Sequence, residues 1–144
     1  MGEPHIALVE ATPEHIDAIV QIEREAGGRS LVALTHGHAV VEALERGHQV
    51  TVALAGGEVA GWIWYSTDLG RGAEEVGQIL RVAVAQGHVR SGVGRALVEH
   101  AQATLAGRAI TRVRITVDGD DAESRAFFAR LGYAVDAVMM ERAL

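Results

Sequence analysis

Between residues 80 and 97 the chain passes from strand to turn to helix with almost no spacer. Leu80-Arg81-Val82-Ala83-Val84 is rich in β-branched residues, as a strand requires. Val89-Arg90-Ser91-Gly92-Val93-Gly94 follows as a glycine-bearing turn. Val93, Ala96, Leu97, Ala101 and Leu105 then repeat with helical period on one side. A strand that feeds a helix through so short a turn must lay that helix back on its own sheet. This restricts the chain to layered α/β architectures.

The flanking sequence fits that restriction. His5 to Glu10 reads as a first strand. Thr12-Pro13-Glu14 opens a helix with a hydroxyl cap, proline at the first helical position and an acid in the first turn. Its apolar stripe is Ile16, Ile19 and Val20, and Gly27-Gly28 ends it. A second helix is expected over Thr35 to Arg46. Gln49 to Ala55 and Glu58 to Thr67 read as strands joined by a tight turn at Gly56-Gly57. Val76 to Val84 is the next strand, after a polar loop, and Ile110 to Val117 alternates as another. Asp120 and Glu123 have capping-box spacing before a helix that reaches Leu131, with Gly132 as its stop. Tyr133 to Leu144 reads as a short strand-like tail. The order is β-α-α-β-β-β-α-β-α-β, and residues 1–144 are expected to form a single mixed α/β domain.

Composition narrows the chemistry. The chain has no cysteine, so disulfides, thiolate zinc sites and a cysteine nucleophile are excluded. All 13 basic residues are arginine, so a lysine Schiff base and the P-loop signature are excluded too. A net charge of −6 argues against nucleic acid held through phosphate contacts. No apolar run approaches the roughly 20 residues of a membrane span, and no basic–apolar leader is visible, so a cytoplasmic protein is expected. His36 and His38, two residues apart near a helix start, would point apart, and no metal site is assigned. His100 reads as a core histidine on the helix stripe, and His88 as exposed or as an adenine-side contact.

The turn itself has a chemical use. A helix start carries unpaired N–H groups and partial positive charge. Glycines at 92 and 94 would let a phosphate approach the backbone, with Arg90 and Arg95 on either side. A Gly-x-Gly before a helix also fits a plain strand-to-helix turn. The dinucleotide fingerprint would require glycine at position 97, which is Leu97.

Two motifs together carry a resemblance. Leu80 to Leu97 is similar to the acyl-CoA motif of the GNAT N-acyltransferases, a strand ending L-x-V followed by [R/Q]-x-x-G-x-[G/A] at a helix start. Phe127-Phe128-Ala129-Arg130-Leu131-Gly132-Tyr133 resembles the family's later aromatic–glycine signature. The resemblance implies a mostly antiparallel central sheet of six to seven strands flanked by about four helices. It implies acetyl transfer from acetyl-CoA to an amine by direct attack, without a covalent enzyme intermediate. Val82 and Val84 would meet the pantetheine arm, with the Val82 N–H polarising the thioester carbonyl. Backbone groups of Val89, Arg90, Ser91, Gly92, Val93, Gly94 and Arg95 would hold the pyrophosphate, and Asp121 and Phe128 would lie near the cofactor arm.

The chain departs from the pattern at chemically important places. Val89 stands where the family has Arg or Gln. Asp121 stands where it commonly has Asn. Phe128 replaces a tyrosine that serves as general acid, and Gln78 occupies a position where histone-type members have a glutamate base. Glu74 shares strand parity with Gln78 and is the candidate base through water; otherwise it is a solvated loop acid. Tyr65 reads as a packed tyrosine or as a cleft residue, and Trp62 and Trp64 as core or as an acceptor-pocket wall. The competing reading is therefore an acyl-CoA-binding sensor or scaffold with little or no catalysis. The acceptor, small molecule or protein N-terminus, has no recognisable code, and the apolar tail from Val135 to Leu144 is compatible with a homodimer.

Overall fold

The computed structural model describes residues 5–25, Glu42, Glu45, 48–66 and 76–144. Its elements are β1 (Ile6–Glu10), a 3₁₀ turn (Pro13–His15) leading into α1 (Ile16–Glu25), β2 (Gln49–Ala55), β3 (Glu58–Ser66), β4 (Val76–Val84), a second 3₁₀ turn (Gln86–His88), α2 (Val93–Ala106), β5 (Arg112–Ile115) and α3 (Ala122–Arg130). The five strands form one sheet in sequence order. Pairing is antiparallel from β1 through β4 and parallel between β4 and β5.

The strand bounds follow local chemistry. Gly56 and Gly57 both take positive φ, 60° and 83°, as a two-residue turn between right-twisted strands demands. The expected strand from Ile110 to Val117 shrinks to Arg112–Ile115. At its start the Ile110 N–H donates back to the Leu105 carbonyl, so Ile110 belongs to the end of α2. At its end, pairing stops where β4 diverges. The helix after it is capped by Asp121, not Asp120, with the Ser124 N–H donating to Asp121 Oδ1 at 3.0 Å.

Two apolar layers cover the sheet. One face packs Ile63, Tyr65 and Ile79 against Val93, Leu97, Val98, Ala101 and Leu105 of α2, with Phe128 of α3. The other packs Val50, Val52 and Trp62 against Ile19, Val20 and Ile22 of α1. Each fully buried leucine of α2 contributes about 1.5–3 kcal/mol relative to exposure. Glycines on β3 and β4 let α2 come this close. A Cβ on Gly61 would lie 2.8 Å from Val93 Cγ1 and 2.9 Å from the Ala83 carbonyl oxygen; on Gly77 it would lie 2.7 Å from Leu105 Cδ1. Gly61→Ala is expected to lower stability by about 1–3 kcal/mol, because a backbone oxygen cannot step aside. Gly77→Ala should cost less, since only a leucine side chain must turn. Urea midpoints of the two variants check the order.

Two expectations change. Tyr133 to Leu144 forms no strand: residues 134–144 join no ladder, and Val135, Val138, Met139 and Met140 are exposed. Alternation assigns side chains to faces but supplies no hydrogen-bond partner. The tail meets β5 through charge, with Asp136 3.8 Å from Arg112 and 3.9 Å from Arg114. Among the described residues the sheet has five strands, where six to seven were expected, and three α-helices accompany it. The helix expected over 35–46 lies outside the described residues except Glu42 and Glu45, which are helical.

Candidate functional site

β4 and β5 pair only from Val76↔Arg112 to Ile79↔Ile115, while β4 continues to Val84. Leu80 to Val84 therefore have a strand on one side and none on the other. The Ala85 N–H donates to the Ala60 carbonyl at 2.8 Å, which sets the phase of the β3–β4 ladder. In an antiparallel pair, main-chain groups of successive residues turn to opposite edges. Ala83 and Arg81 thus face β3, and the main-chain groups of Val82 and Val84 face the open edge. There a cavity of about 720 Å³ separates the strands. Leu80 to Val84 line one wall, Ile115 to Asp118 the other, and Asp121, Phe127 and Phe128 also border it.

The helix start closes one end of this cleft. The Ala96 N–H donates to the Gly92 carbonyl at 3.0 Å as the first bond of α2. The N–H groups of Val93, Gly94 and Arg95 precede the ladder and have no intrahelical acceptor. Gly92 has φ 85°, and a Cβ there would meet no protein atom within 4 Å, so the space beside it is open. Gly94 is different: its Cβ would press on Phe127 Cζ at 3.3 Å and Val84 Cγ2 at 3.4 Å. Arg90 has φ 63°, a left-handed conformation uncommon outside glycine. The Ser91 hydroxyl donates to the His88 carbonyl and so braces the turn. Arg95 pairs with Glu99 at 2.8 Å; exposed Val89, Arg90, Gly92 and Arg95, with half-buried Gly94, all border the cleft.

On α3, Asp121 accepts from the Ser124 hydroxyl at 2.7 Å and from its N–H. These bonds, the hydroxyl first, hold its carboxyl below the usual range, and the charge of Arg81 adds to the effect. A depressed folded-state pKa stabilises the native state above the unfolded pKa of about 4, and that contribution is lost as pH falls through the folded value. Loss of the cap in Asp121→Ala should cost about 1 kcal/mol near neutrality, and the difference from wild type should narrow in acid as the carboxyl is protonated. Urea unfolding at neutral and acid pH checks this.

Phe128 is only 5% exposed, with its ring edge-on to Phe127 (5.0 Å) and Tyr133 (5.2 Å). Tyr133 accepts from Gln102 Nε2 at 2.8 Å and does not border the cleft. Burial raises its pKa, so the phenol stays protonated near neutrality.

The sequence reading missed a bulge. Tyr65 pairs with Ile79 and Trp64 with Arg81, so Leu80 is unpaired and strand parity flips across it. Ile79 and Val82 face α2, whereas Gln78, Arg81 and Ala83 face α1. Gln78 is half-buried and does not border the cleft, and Glu74 lies outside the described residues. Tyr65 is buried against α2 rather than in the cleft. On the α1 face, wholly buried Glu23 accepts from Trp62 Nε1 (2.9 Å), Arg81 Nε (2.8 Å) and Arg81 Nη2 (2.8 Å). Trp64 Nε1 donates to His48 Nδ1 at 2.9 Å. Glu23 stands three residues after Val20 and four after Ile19, so it continues the apolar stripe of α1 by one turn, and that position was the available signal for it. His88 lies 3.6 Å from Glu58, and His100 is half-buried on α2. His36 and His38 lie outside the described residues, among which no cluster of three or more His, Asp or Glu could hold a metal.

The sequence profile of the acetyltransferase (GNAT) family matches residues 14–133. Among solved structures, a Desulfovibrio desulfuricans protein assigned to that family is similar with a TM-score of 0.82 at 19% identity, over 94% of this chain and 88% of that one. Ard1 from Thermoplasma volcanium gives 0.78 at 23% identity, over 92% and 84%. The aminoglycoside N-acetyltransferase AAC(6')-Iy, in complex with CoA, gives 0.79 at 17% identity, over 97% and 95%. At these identities the likeness is one of fold. No curated protein matches the sequence.

Proposed function

The chain belongs to the acetyltransferase (GNAT) family, and we propose that it transfers an acyl group, acetyl in the simplest case, from coenzyme A to an amine. The observation that carries this reading is the open edge of β4, with the main chain of Val82 and Val84 facing a cleft that ends on the start of α2. The cleft fits such a donor: it offers main-chain groups for an amide-bearing arm, and N–H groups beside the open space at Gly92 for phosphates.

Bound acyl-CoA supplies a thioester, whose carbonyl carbon an amine attacks. In this reading the Val82 N–H donates to the oxygen on which negative charge grows. The N–H groups of Val93, Gly94 and Arg95 hold the diphosphate, with Arg90 and Arg95 adding charge at the turn and Ser91 keeping its shape. Val84 contacts the arm through its main chain, and Phe128 lies against it as an apolar wall. Asp121 acts first as the cap of α3 and offers its carboxylate edge to the cleft.

Phe128 cannot donate a proton, and Gln78 is turned to the other face. In this reading the amine enters already neutral, the proton its nitrogen sheds on forming the amide goes to water, and water protonates the leaving thiolate. General acid–base help is worth about 10²–10⁴-fold, so its lack slows transfer without abolishing it. Phe128 equally supports a second reading, an acyl-CoA-binding domain that does not catalyse.

The assignment carries a cytoplasmic setting, where acyl-CoA is available. The structure contributes only that no helix among the described residues is long and apolar enough to cross a membrane. The exposed apolar side chains of the tail support a homodimer, which light scattering would test.

Free-thiol release from acetyl-CoA across a panel of small amines, amino acids and peptides tests the proposal. Transfer to at least one amine is expected. Tight CoA binding without thiol release for any of them would favour the non-catalytic reading.

A further inference from the structure

Arg81 is the residue of the cleft that the acyl-transfer reading leaves without a task. The bulge at Leu80 turns its side chain toward α1, although its neighbour Val82 presents main chain to the open edge. Glu23, with none of its side chain exposed, grips the guanidinium through Nε and Nη2, and Trp62 fixes Glu23 in turn. A bidentate grip of this kind sets both position and plane. The arginine side chain is still 38% exposed and borders the cleft.

Five N–H bonds surround a guanidinium, and the grip uses two. The two on Nη1 and one on Nη2 have no acceptor among the described residues. Removing a charged donor from water without a partner is costly, so a half-exposed, immobilised arginine is a prepared anion site. Its charge is felt across the cleft, where it contributes to holding the Asp121 carboxyl low.

Position decides which anion. Val84 leads into the phosphate turn, and Arg81 lies three strand residues earlier, about 10 Å away along β4. It is therefore a neighbour of Val82, where the acyl group is transferred, and not of the turn that would take the diphosphate. The side chain projects to the α1 face. We propose that Arg81, held by Glu23, anchors a carboxylate at the acyl-transfer end of the cleft, and that the acceptor is an amine bearing that carboxylate, such as an amino acid. This rests on the acyltransferase reading above. A purely polycationic amine would meet donors here where it needs acceptors. The same carboxylate chemistry could come from a dicarboxylic acyl group on the donor, which the test separates.

The experiment compares kcat/KM for glycine and glycinamide as acceptors, and for acetyl-CoA and succinyl-CoA as donors, in wild type, Arg81→Gln, Arg81→Lys and Glu23→Gln. A charge-assisted pair of hydrogen bonds should favour the acid over its amide by about ten- to a hundredfold. Arg81→Gln should erase the preference, and Arg81→Lys should keep only part of it because the fork is lost. Glu23→Gln, which leaves the guanidinium in place but ungripped, should weaken the preference without removing it. An Arg81-dependent preference for succinyl-CoA, with no acceptor preference, would overturn the acceptor assignment. Equal rates for acid and amide in wild type, or a preference that survives in Arg81→Gln, would overturn the anchor altogether.

Binding supplies a readout that does not need turnover. N-acetylglycine and N-acetylglycinamide are titrated into the CoA-loaded protein, wild type and Arg81→Gln. Tighter binding of the acid in wild type alone supports the anchor even if no amine is acylated, an outcome that would sink the acyltransferase reading by itself. Equal affinities would reject the anchor while leaving that reading intact.

Discussion

Val82→Pro is expected to lower kcat by about 10²–10³ while the protein remains folded. The change removes one N–H, and the ladder places that N–H on the open edge of β4, so no strand pairing is lost. Proline is tolerated in a strand where its nitrogen faces an unpaired edge. It also restricts the preceding residue to extended conformations, and Arg81 is already within a strand. Circular dichroism should be unchanged, and the loss should appear in steady-state thiol release. An unchanged kcat would mean that the charge developing on the thioester oxygen is met elsewhere.

Trp62→Ala should have the largest effect on stability, about 3–5 kcal/mol. The indole is fully buried in the layer between the sheet and α1, and its N–H is one of three donors to Glu23. The variant opens a cavity and strips a bond from a buried carboxylate, which adds to the cost. A lower urea midpoint with an unchanged slope would identify lost stability rather than an altered unfolded state. The milder Trp62→Phe keeps most of the volume and isolates the lost N–H.

Much of the frame could be read from residues alone, for reasons that these two sites make plain. The bounds of β2 and β4 were legible because Gly56-Gly57 punctuates one and the glycine turn follows the other. The start of α2 was legible because Val93, Leu97 and Ala101 share one helical face. The bulge was not. Strict alternation would place Gln78 and Val82 on the same face, and only the pairing of Tyr65 with Ile79 and Trp64 with Arg81 reverses it. Without the bulge, Arg81 has no reason to meet α1, so the Glu23–Arg81–Trp62 cluster was out of reach. Glu23 also reads as a surface acid until burial is known. The tail failed for the opposite reason: its alternation was visible, but the partner edge a strand needs was not supplied. Asp121 was a candidate from its position, and its capping bonds to Ser124 emerged only with the structure.

Coenzyme A binding tests the central claim, that the open β4 edge and the α2 turn together form an acyl-CoA site. A ligand bound only by the native state stabilises it by RT ln(1 + [L]/Kd), about 2.7 kcal/mol at a hundredfold excess over Kd. In a domain of this size that corresponds to a melting shift of roughly 5–10 °C. Coenzyme A should produce such a shift, and pantetheine at the same concentration, lacking the phosphates, should produce far less. Equal shifts from the two would show that the turn is not the anchor, and no shift from coenzyme A at millimolar concentration would contradict the site itself.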